Sequence, residues 1–129
     1  MQGGQNMNRI IPLIIIVVVF LTACGISSEG YRNVSSEEAK QLIDNKEVVV
    51  LDVRTPEEFQ EGHIPNAILL PLQELENKLN DLDKEETYIV VCRSGNRSTQ
   101  ASEILINNKF TNINNMTGGM NNWSYEIEN

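Results

Sequence analysis

Apolar and polar positions follow two different periods along this chain. Continuous apolar runs at positions 48–51, 68–70 and 88–91 are typical of strands covered on both faces. A weaker run predicts a further strand over 112–116. Apolar residues recur at helical spacing between these runs, so the pattern predicts strands that alternate with helices.

Two polar signatures predict where helices begin. Ser35 and Glu38 have the spacing of a capping box, and the helix that follows should end near Asn45. Thr55 and Glu58 repeat that spacing, with a proline at the first helical position between them. Each signature precedes or follows an apolar run, as expected of a chain that alternates between the two element types.

Further helices are predicted from apolar spacing alone. Leucines at positions 72, 75 and 79 share one face of a third helix, and the apolar residues of 99–107 predict a fourth. Residues 118–123 predict a last turn or helix. The whole pattern indicates one α/β domain over 31–129 with a largely parallel sheet.

The first stretch has the features of a secretion signal rather than of the domain. Arg9 precedes an apolar run at 10–21, which is short for a transmembrane span. The segment Leu21-Thr22-Ala23-Cys24-Gly25 resembles the lipobox of bacterial lipoproteins. That resemblance implies a signal peptide over 1–23, a lipid on Cys24, a tether over 24–30 and an extracytoplasmic domain anchored to the membrane. An uncleaved N-terminal anchor is the alternative, and either Met1 or Met7 can be the start.

Composition excludes several classes of protein. The net charge of −8 and the sequence pI near 4.6 argue against nucleic-acid binding, which needs a basic surface. His63 is the only histidine, so a zinc site is not expected, and no cofactor is predicted. There are two cysteines, and lipidation of Cys24 would leave Cys92 as the one free thiol. The absence of a Cys-x-x-Cys pair argues against a thioredoxin-type oxidoreductase.

The polar segment after the run at 88–91 carries the candidate chemistry. It consists of Cys92, Arg93, Ser94, Gly95, Asn96, Arg97 and Ser98. A buried structural cysteine is not expected in so polar a loop, whereas a thiol between a strand and a helix N-terminus is well placed to react. Inward backbone N–H groups, the helix dipole, Arg93 and Arg97 all favour the thiolate of Cys92 over the thiol. Gly95 can adopt positive φ, which lets a short loop curl around an anion.

Three motifs in this order resemble the signatures of rhodanese domains. The first comprises Asp52, Val53, Arg54, Pro56, Glu58, Phe59 and residues 62–67, the second is the loop 92–98, and the third is Gly118, Gly119 and Trp123. The first signature usually has glycine where this chain has Asn66, which tolerates the left-handed region better than most residues. The resemblance implies a central, mainly parallel five-stranded sheet with helices on both faces.

The same resemblance implies sulfurtransferase chemistry. Cys92 would take a sulfane sulfur from an anionic donor such as thiosulfate, hold it as a persulfide and pass it to a thiol or to cyanide. Arg93 and Arg97 can pair with the donor, and the backbone of residues 93–98 can bind its charge. Either arginine can instead brace the loop, and Arg97, which closes it, is the better candidate for a brace.

Three other residues are expected to support the site. Asp52 and Arg54 follow a strand end, where open α/β sheets place their sites, and they can bind the loop or pair with each other or with Glu58. His63 is expected to pin the turn at 62–67 by a hydrogen bond. Gly118 and Gly119 should form a tight turn, and the side chain of Trp123 should pack in the core.

Three alternative functions are compared with the same motifs. Rhodanese-like phosphatases and arsenate reductases have a loop one residue longer, whereas four residues separate Cys92 from Arg97 here. A membrane-tethered persulfide carrier or sulfur-sensing module that acts on a protein partner needs Cys92 as much as an enzyme does. An inactive scaffold is disfavoured because such domains usually lack the cysteine. The donor, the acceptor and the oligomeric state are not specified by the sequence.

Overall fold

The computed structural model describes residues 30–45 and 47–129. The predicted signal peptide, Cys24 and most of the predicted tether therefore lie outside the described residues. The strands are β1 (Arg32–Val34), β2 (Val49–Asp52), β3 (Ile68–Leu69), β4 (Tyr88–Val91) and β5 (Ile113–Met116). The helices are α1 (Ser36–Asp44), α2 (Pro56–Glu61), α3 (Leu72–Leu75) and α4 (Asn96–Asn107), with two 3₁₀ helices at Glu76–Asp81 and Gly119–Asn122. Within these ranges no helix is both long and apolar enough to span a bilayer.

The five strands form one sheet in the order β1-β5-β4-β2-β3, and every pair is parallel. β4 is the central strand, and all four of its residues are buried. Asp52 lies in register with Val91 at the carboxyl ends of β2 and β4. The segments that leave these two strands therefore start side by side, at the edge where parallel sheets place their sites.

Apolar side chains cover both faces of the sheet. On one face, residues of α3 and α4 such as Leu75 and Leu105 pack on β2 and β4. On the other face, Ala39 of α1 packs beside Ile89, with the partly buried Trp123 at its margin. Helices on both faces of an all-parallel five-stranded sheet confirm the predicted fold class.

Both predicted capping boxes are present. The Glu38 N–H donates to Ser35 Oγ at 3.1 Å, and the helix ends with Asn45 as its C-cap. The Glu58 N–H donates to Thr55 Oγ1 at 3.2 Å at the start of α2. These bonds satisfy N–H groups that a helix N-terminus leaves without an intrahelical acceptor.

Some element boundaries differ from the predictions. α4 begins at Asn96, not at 99, so Arg97 and Ser98 belong to its first turn. The predicted leucine helix is interrupted, because α3 gives way to a 3₁₀ helix in which Lys78 has a non-helical φ of −122°. β1 has no counterpart among the predicted strands, because its one buried residue is Val34. Asn66 has φ of +66°, which agrees with the left-handed backbone expected there.

Candidate active site

Cys92 follows β4 directly, and its thiol lies inside the curl of the loop. The side chain is 1% exposed. The Gly95 N–H donates to Cys92 Sγ at 3.0 Å, and the thiol donates to Ser98 Oγ at 3.4 Å. The sulfur is therefore held between a backbone N–H group and a hydroxyl in the first turn of α4.

Gly95 has a left-handed backbone with φ of 106°, which the loop needs in order to turn back on the sulfur. Its carbonyl accepts hydrogen bonds from Thr99 Oγ1 at 2.8 Å and from Ser98 Oγ at 3.1 Å. Asn115 of β5 donates in turn to Thr99 Oγ1 at 3.1 Å. This network fixes Gly95 so that its N–H points at the sulfur. Thr99 and Asn115 are missing from the predicted site.

The C-terminal glycine turn binds the outside of the same loop. Gly118 and Gly119 have φ of 75° and 54°, which confirms the predicted tight turn. The Met120 N–H donates to the Cys92 carbonyl at 2.8 Å, and the Asn121 N–H donates to the Arg93 carbonyl at 3.0 Å. Two loop carbonyls are thereby satisfied by the 3₁₀ helix that follows the turn. Their orientation leaves the Gly95 N–H as the backbone group against the sulfur.

Glu58 of α2 binds both arginines of the loop. Arg97 Nη1 and Nη2 donate to Glu58 Oε1 and Oε2 at 2.7 and 2.9 Å, a bidentate ion pair. Arg93 Nε lies 3.4 Å from Glu58 Oε2, and the Arg93 side chain is 58% exposed. The structure therefore places Arg97 as a brace between the loop and α2, through a carboxylate rather than through loop carbonyls. Arg93 remains accessible to solvent.

This ion pair shifts the titration of both partners. The Arg97 guanidinium, through its hydrogen bonds, lowers the pKa of Glu58 to about 2, although burial of the carboxylate opposes the shift. The pKa of Arg97 is raised by the same hydrogen bonds. Glu58 is thus a charged member of the site at neutral pH. Glu58 is also the third residue of the capping box predicted at the start of α2, so it occupies both roles.

Asp52 and Arg54 pair with each other at the end of β2. The Arg54 guanidinium donates to both Asp52 oxygens, with the shortest bond at 2.8 Å, and the two side chains are 5% and 1% exposed. Arg54 Nη2 also donates to the Gly62 carbonyl at 2.9 Å. Of the roles left open by the sequence, the structure shows the mutual ion pair, which fixes the segment after β2 beside the loop.

His63 is held by the end of α2 and by the C-terminal segment. Its Nδ1 lies 2.7 Å from the Phe59 carbonyl, and its ring stacks on the Phe59 ring at 3.6 Å. Its Nε2 lies 3.4 Å from Glu128 Oε1, and the same carboxylate oxygen accepts the Asn66 N–H at 2.9 Å. The expected hydrogen bond therefore joins His63 to α2, and Glu128 contacts the turn at 62–67 from the C-terminal segment.

Two cavities flank the loop. One, of about 420 Å³, lies beside Arg97 and has Val53, Pro56, Pro71 and Leu72 among its lining residues. The other, of about 410 Å³, has the remaining loop residues Ser94 and Asn96 in its wall, and both are exposed. No group of three or more potential metal-binding side chains occurs in 30–45 or 47–129.

The chain matches known proteins over nearly all of this domain. The family model described as a Rhodanese-like domain matches residues 35–126. A Bacillus subtilis protein named as a candidate sulfur carrier, YrkF, is 34% identical over 103 residues, which cover 79% of this chain and 56% of that protein. The Sulfurtransferase of Allochromatium vinosum is 34% identical over 94 residues, which cover 72% of this chain and 88% of that protein.

A solved structure agrees with the fold. The crystal structure of a rhodanese-like domain protein from Staphylococcus aureus has a TM-score of 0.70 and 37% identity, covering 75% of this chain and 96% of that one. The family model matches most of the chain, and the all-parallel sheet and the cysteine loop agree with it. The chain therefore belongs to the rhodanese-like family.

Proposed function

We propose that this chain is a rhodanese-type sulfurtransferase that carries sulfur on Cys92 as a persulfide. The observation that carries the proposal is the Gly95 N–H at 3.0 Å from Cys92 Sγ, in a loop whose outer carbonyls are bound elsewhere. An N–H donor at that position stabilises negative charge on the sulfur. Relatives named sulfurtransferases support the same chemistry.

The first half-reaction loads the sulfur. The Cys92 thiolate attacks the outer sulfur of an anionic donor such as thiosulfate, a new S–S bond forms, and the donor's own S–S bond breaks with its electron pair leaving on sulfite. Before this attack the thiol loses its proton to solvent, and the Ser98 hydroxyl can then turn from the Gly95 carbonyl towards the thiolate sulfur. In the persulfide that results, the Gly95 N–H stays close to the negatively charged sulfur group on Cys92.

The second half-reaction unloads the sulfur. An acceptor thiolate, or cyanide, attacks the outer sulfur of the persulfide, and the Cys92 thiolate leaves. The nucleophile is regenerated without a net redox change in the protein, which gives a ping-pong cycle. Arg93 is the accessible cation for guiding anions to the loop, because the Arg97 guanidinium is occupied by Glu58.

A persulfide carrier that delivers sulfur to a protein partner is the second candidate. The relative named as a candidate sulfur carrier favours it, as does the 1% exposure of Cys92. A carrier should hold the added sulfur stably and turn over slowly with small thiols. An enzyme should turn over with thiosulfate and a small thiol, so steady-state kinetics separate the two.

Intact mass after thiosulfate treatment tests the loading step. We would use the full chain with Cys24→Ser, which removes the other cysteine, and compare it with Cys24→Ser/Cys92→Ser. The first protein should gain about 32 Da, lost again on reduction, because one sulfur atom has been added to the remaining thiol. Uptake of sulfur by the double variant, or no uptake by the single one, would overturn the proposal.

We propose further that Cys24 is lipidated and anchors the domain on the outer side of the cell membrane. The support is the lipobox-like segment 21–25 and the apolar run before it. Mass spectrometry of membrane-extracted protein should show a lipid on an N-terminal Cys24. An intact start at Met1 or Met7 with a free Cys24 thiol would contradict the anchor without affecting the sulfur chemistry.

A further inference from the structure

We propose that the lipid-anchored domain holds its cysteine loop away from the membrane and passes sulfur to a water-soluble thiol rather than to a lipid-linked one. This inference rests on the proposed sulfur transfer and on the proposed lipid on Cys24, and it names the kind of acceptor that reaches Cys92. Its starting point is the topology of the sheet, whose parallel strands give the domain two different ends.

The described chain enters the sheet at the amino ends of the strands. Gly30 and Thr87 line one cavity there, of about 510 Å³, together with Ile113 at the start of β5. Cys92 lies five residues beyond Thr87, past the carboxyl end of β4. At a rise of about 3.3 Å per strand residue, the thiol is about 16 Å farther along the sheet than the point where the chain enters.

Helix α4 gives a second measure of the same separation. Its first turn contains Ser98, which accepts the hydrogen bond of the Cys92 thiol. Its last turn contains Ile106, which lies against Gly30, because a Cβ on this glycine would be 3.1 Å from Ile106 Cγ2. Since the helix has 12 residues, its two ends are about 18 Å apart. The two measures agree, and they place the entry of the chain and the reactive sulfur at opposite ends of the domain.

The length of the tether limits how the domain can turn on the membrane. Cys24 precedes Gly30 by six residues, and six residues span at most about 21 Å in any conformation. Bringing the loop to the lipid headgroups would draw the tether back along α4, which uses about 18 Å of that reach and leaves very few conformations. With the amino ends of the strands towards the bilayer, this distance excludes no conformation of the tether. Conformational entropy therefore favours a cysteine loop that faces away from lipid.

This orientation decides which acceptors reach the sulfur. An acceptor thiolate R–S⁻ attacks the outer sulfur of the Cys92–S–SH persulfide, R–S–SH forms, and the Cys92 thiolate leaves with the electron pair of the broken S–S bond. The attack requires R–S⁻ at the mouth of the loop, where Arg93, Ser94 and Asn96 are exposed to solvent. A soluble thiol reaches this mouth directly, whereas a thiol on a lipid headgroup lies at the other end of the domain.

Energy transfer to the bilayer tests the orientation without any sulfur chemistry. The protein is the lipidated chain with Cys92→Ser, bound to a supported phosphatidylcholine bilayer that has an acceptor dye on some headgroups. A donor dye is attached through Thr111→Cys, just before β5, or through Ser94→Cys in the loop, and both positions are exposed. The dye at position 111 should transfer energy at least about twofold more efficiently, because it is nearer to the lipid by the length of the domain. Equal efficiencies, or stronger transfer from position 94, would overturn the inference.

Persulfide transfer on the same kind of bilayer tests the acceptor. Wild type is loaded with thiosulfate, the excess is removed, and intact mass follows the loss of the persulfide. The acceptor is 2-mercaptoethanol in solution or phosphatidylthioethanol in the bilayer, which carries the same thiol on a lipid. Insertion of about 15 Gly and Ser residues between Glu29 and Gly30 should raise the rate with the lipid thiol at least about fivefold and change the rate with the soluble thiol less than about twofold. The same insertion after Asn129 is the matched control and should change neither rate.

The possible failures are distinguishable. A protein of native length that passes sulfur to the lipid thiol as fast as the lengthened one would overturn the inference. A wild-type protein that takes up no sulfur would refute the proposed transfer, while energy transfer would still measure the orientation. A protein that does not bind the bilayer and has an unmodified Cys24 would refute the proposed anchor, and the orientation with it.

Discussion

Arg97 and Glu58 are 39 residues apart in sequence, and their side chains form the bidentate ion pair that ties α4 to α2. The nucleophile loop lies between these two helices and β4. The pair therefore bears on the stability of the fold.

Stability should depend on pH through this pair. Because Arg97 holds the pKa of Glu58 at about 2, below the 4.5 of the free side chain, ionised Glu58 stabilises the fold above about pH 4.5. That contribution, about 1–2 kcal/mol after solvent screening, is lost as the pH falls from 4.5 through 2. Thermal unfolding between pH 2 and 6 should show the loss in wild type. Glu58→Gln should lack this component, and an identical pH dependence in both proteins would contradict it.

Gly119→Ala should disrupt the site. A Cβ at this position would overlap the backbone of Cys92 and Arg93, and φ of 54° is unfavourable for alanine. We expect a loss of about 2–4 kcal/mol in unfolding free energy and a large fall in kcat. The matched control is Gly118→Ala, whose Cβ meets the side chain of Asn122, which can rotate away. Chemical denaturation and thiosulfate turnover of both variants would decide, and equal losses would argue against the loop contact.

The Thr99 hydroxyl should contribute to activity through Gly95. Thr99→Val keeps the side-chain volume but removes the 2.8 Å bond to the Gly95 carbonyl, so the N–H that faces the sulfur is held less firmly. We expect kcat/KM to fall about threefold to tenfold. Thr99→Ser retains the hydroxyl and should restore most of the loss. Equal kinetics for the valine and serine variants would assign Thr99 to packing alone.

Lys109→Gly should stabilise the fold without affecting transfer. Lys109 follows α4 with φ of 72°, a left-handed backbone that glycine adopts with less strain. We expect a gain of about 1 kcal/mol in unfolding free energy. Asn66→Gly, at φ of 66°, should gain less because asparagine already tolerates this region. Denaturant titrations would compare the two gains.

The sequence predicted most of the architecture because local signals agree with the fold. The capping boxes at Ser35 and Thr55 and the apolar run of β4 are short-range features, and each appears where it was predicted. The predicted start of α4 was wrong because the first turn of this helix is polar. A search for apolar periodicity cannot detect such a turn. β1 was missed for a similar reason, since an edge strand needs few apolar residues.

For the candidate site, the sequence predicted local backbone geometry better than contacts between separate elements. Cys92 and the positive φ of Gly95 followed from local chemistry. The contact of Glu58 with Arg97 joins two helices, and the glutamate already had a local role as the third residue of a capping box. Likewise, Asn115 reaches the loop from a neighbouring strand. A single sequence carries no signal for such pairings, because they arise only when the strands align in the sheet.

The hydrogen bonds from Met120 and Asn121 to the cysteine loop also determine when, during synthesis of the chain, this loop can reach its final structure. A ribosome synthesises Cys92 well before these two residues, so the emerging thiol precedes the backbone groups that hold its loop. During synthesis the cysteine is a side chain on an incomplete domain, and the carbonyls of Cys92 and Arg93 are bound only when the glycine turn closes. A chain that stopped before Gly118 would contain every residue of the loop and would still lack the two N–H groups that bind the Cys92 and Arg93 carbonyls.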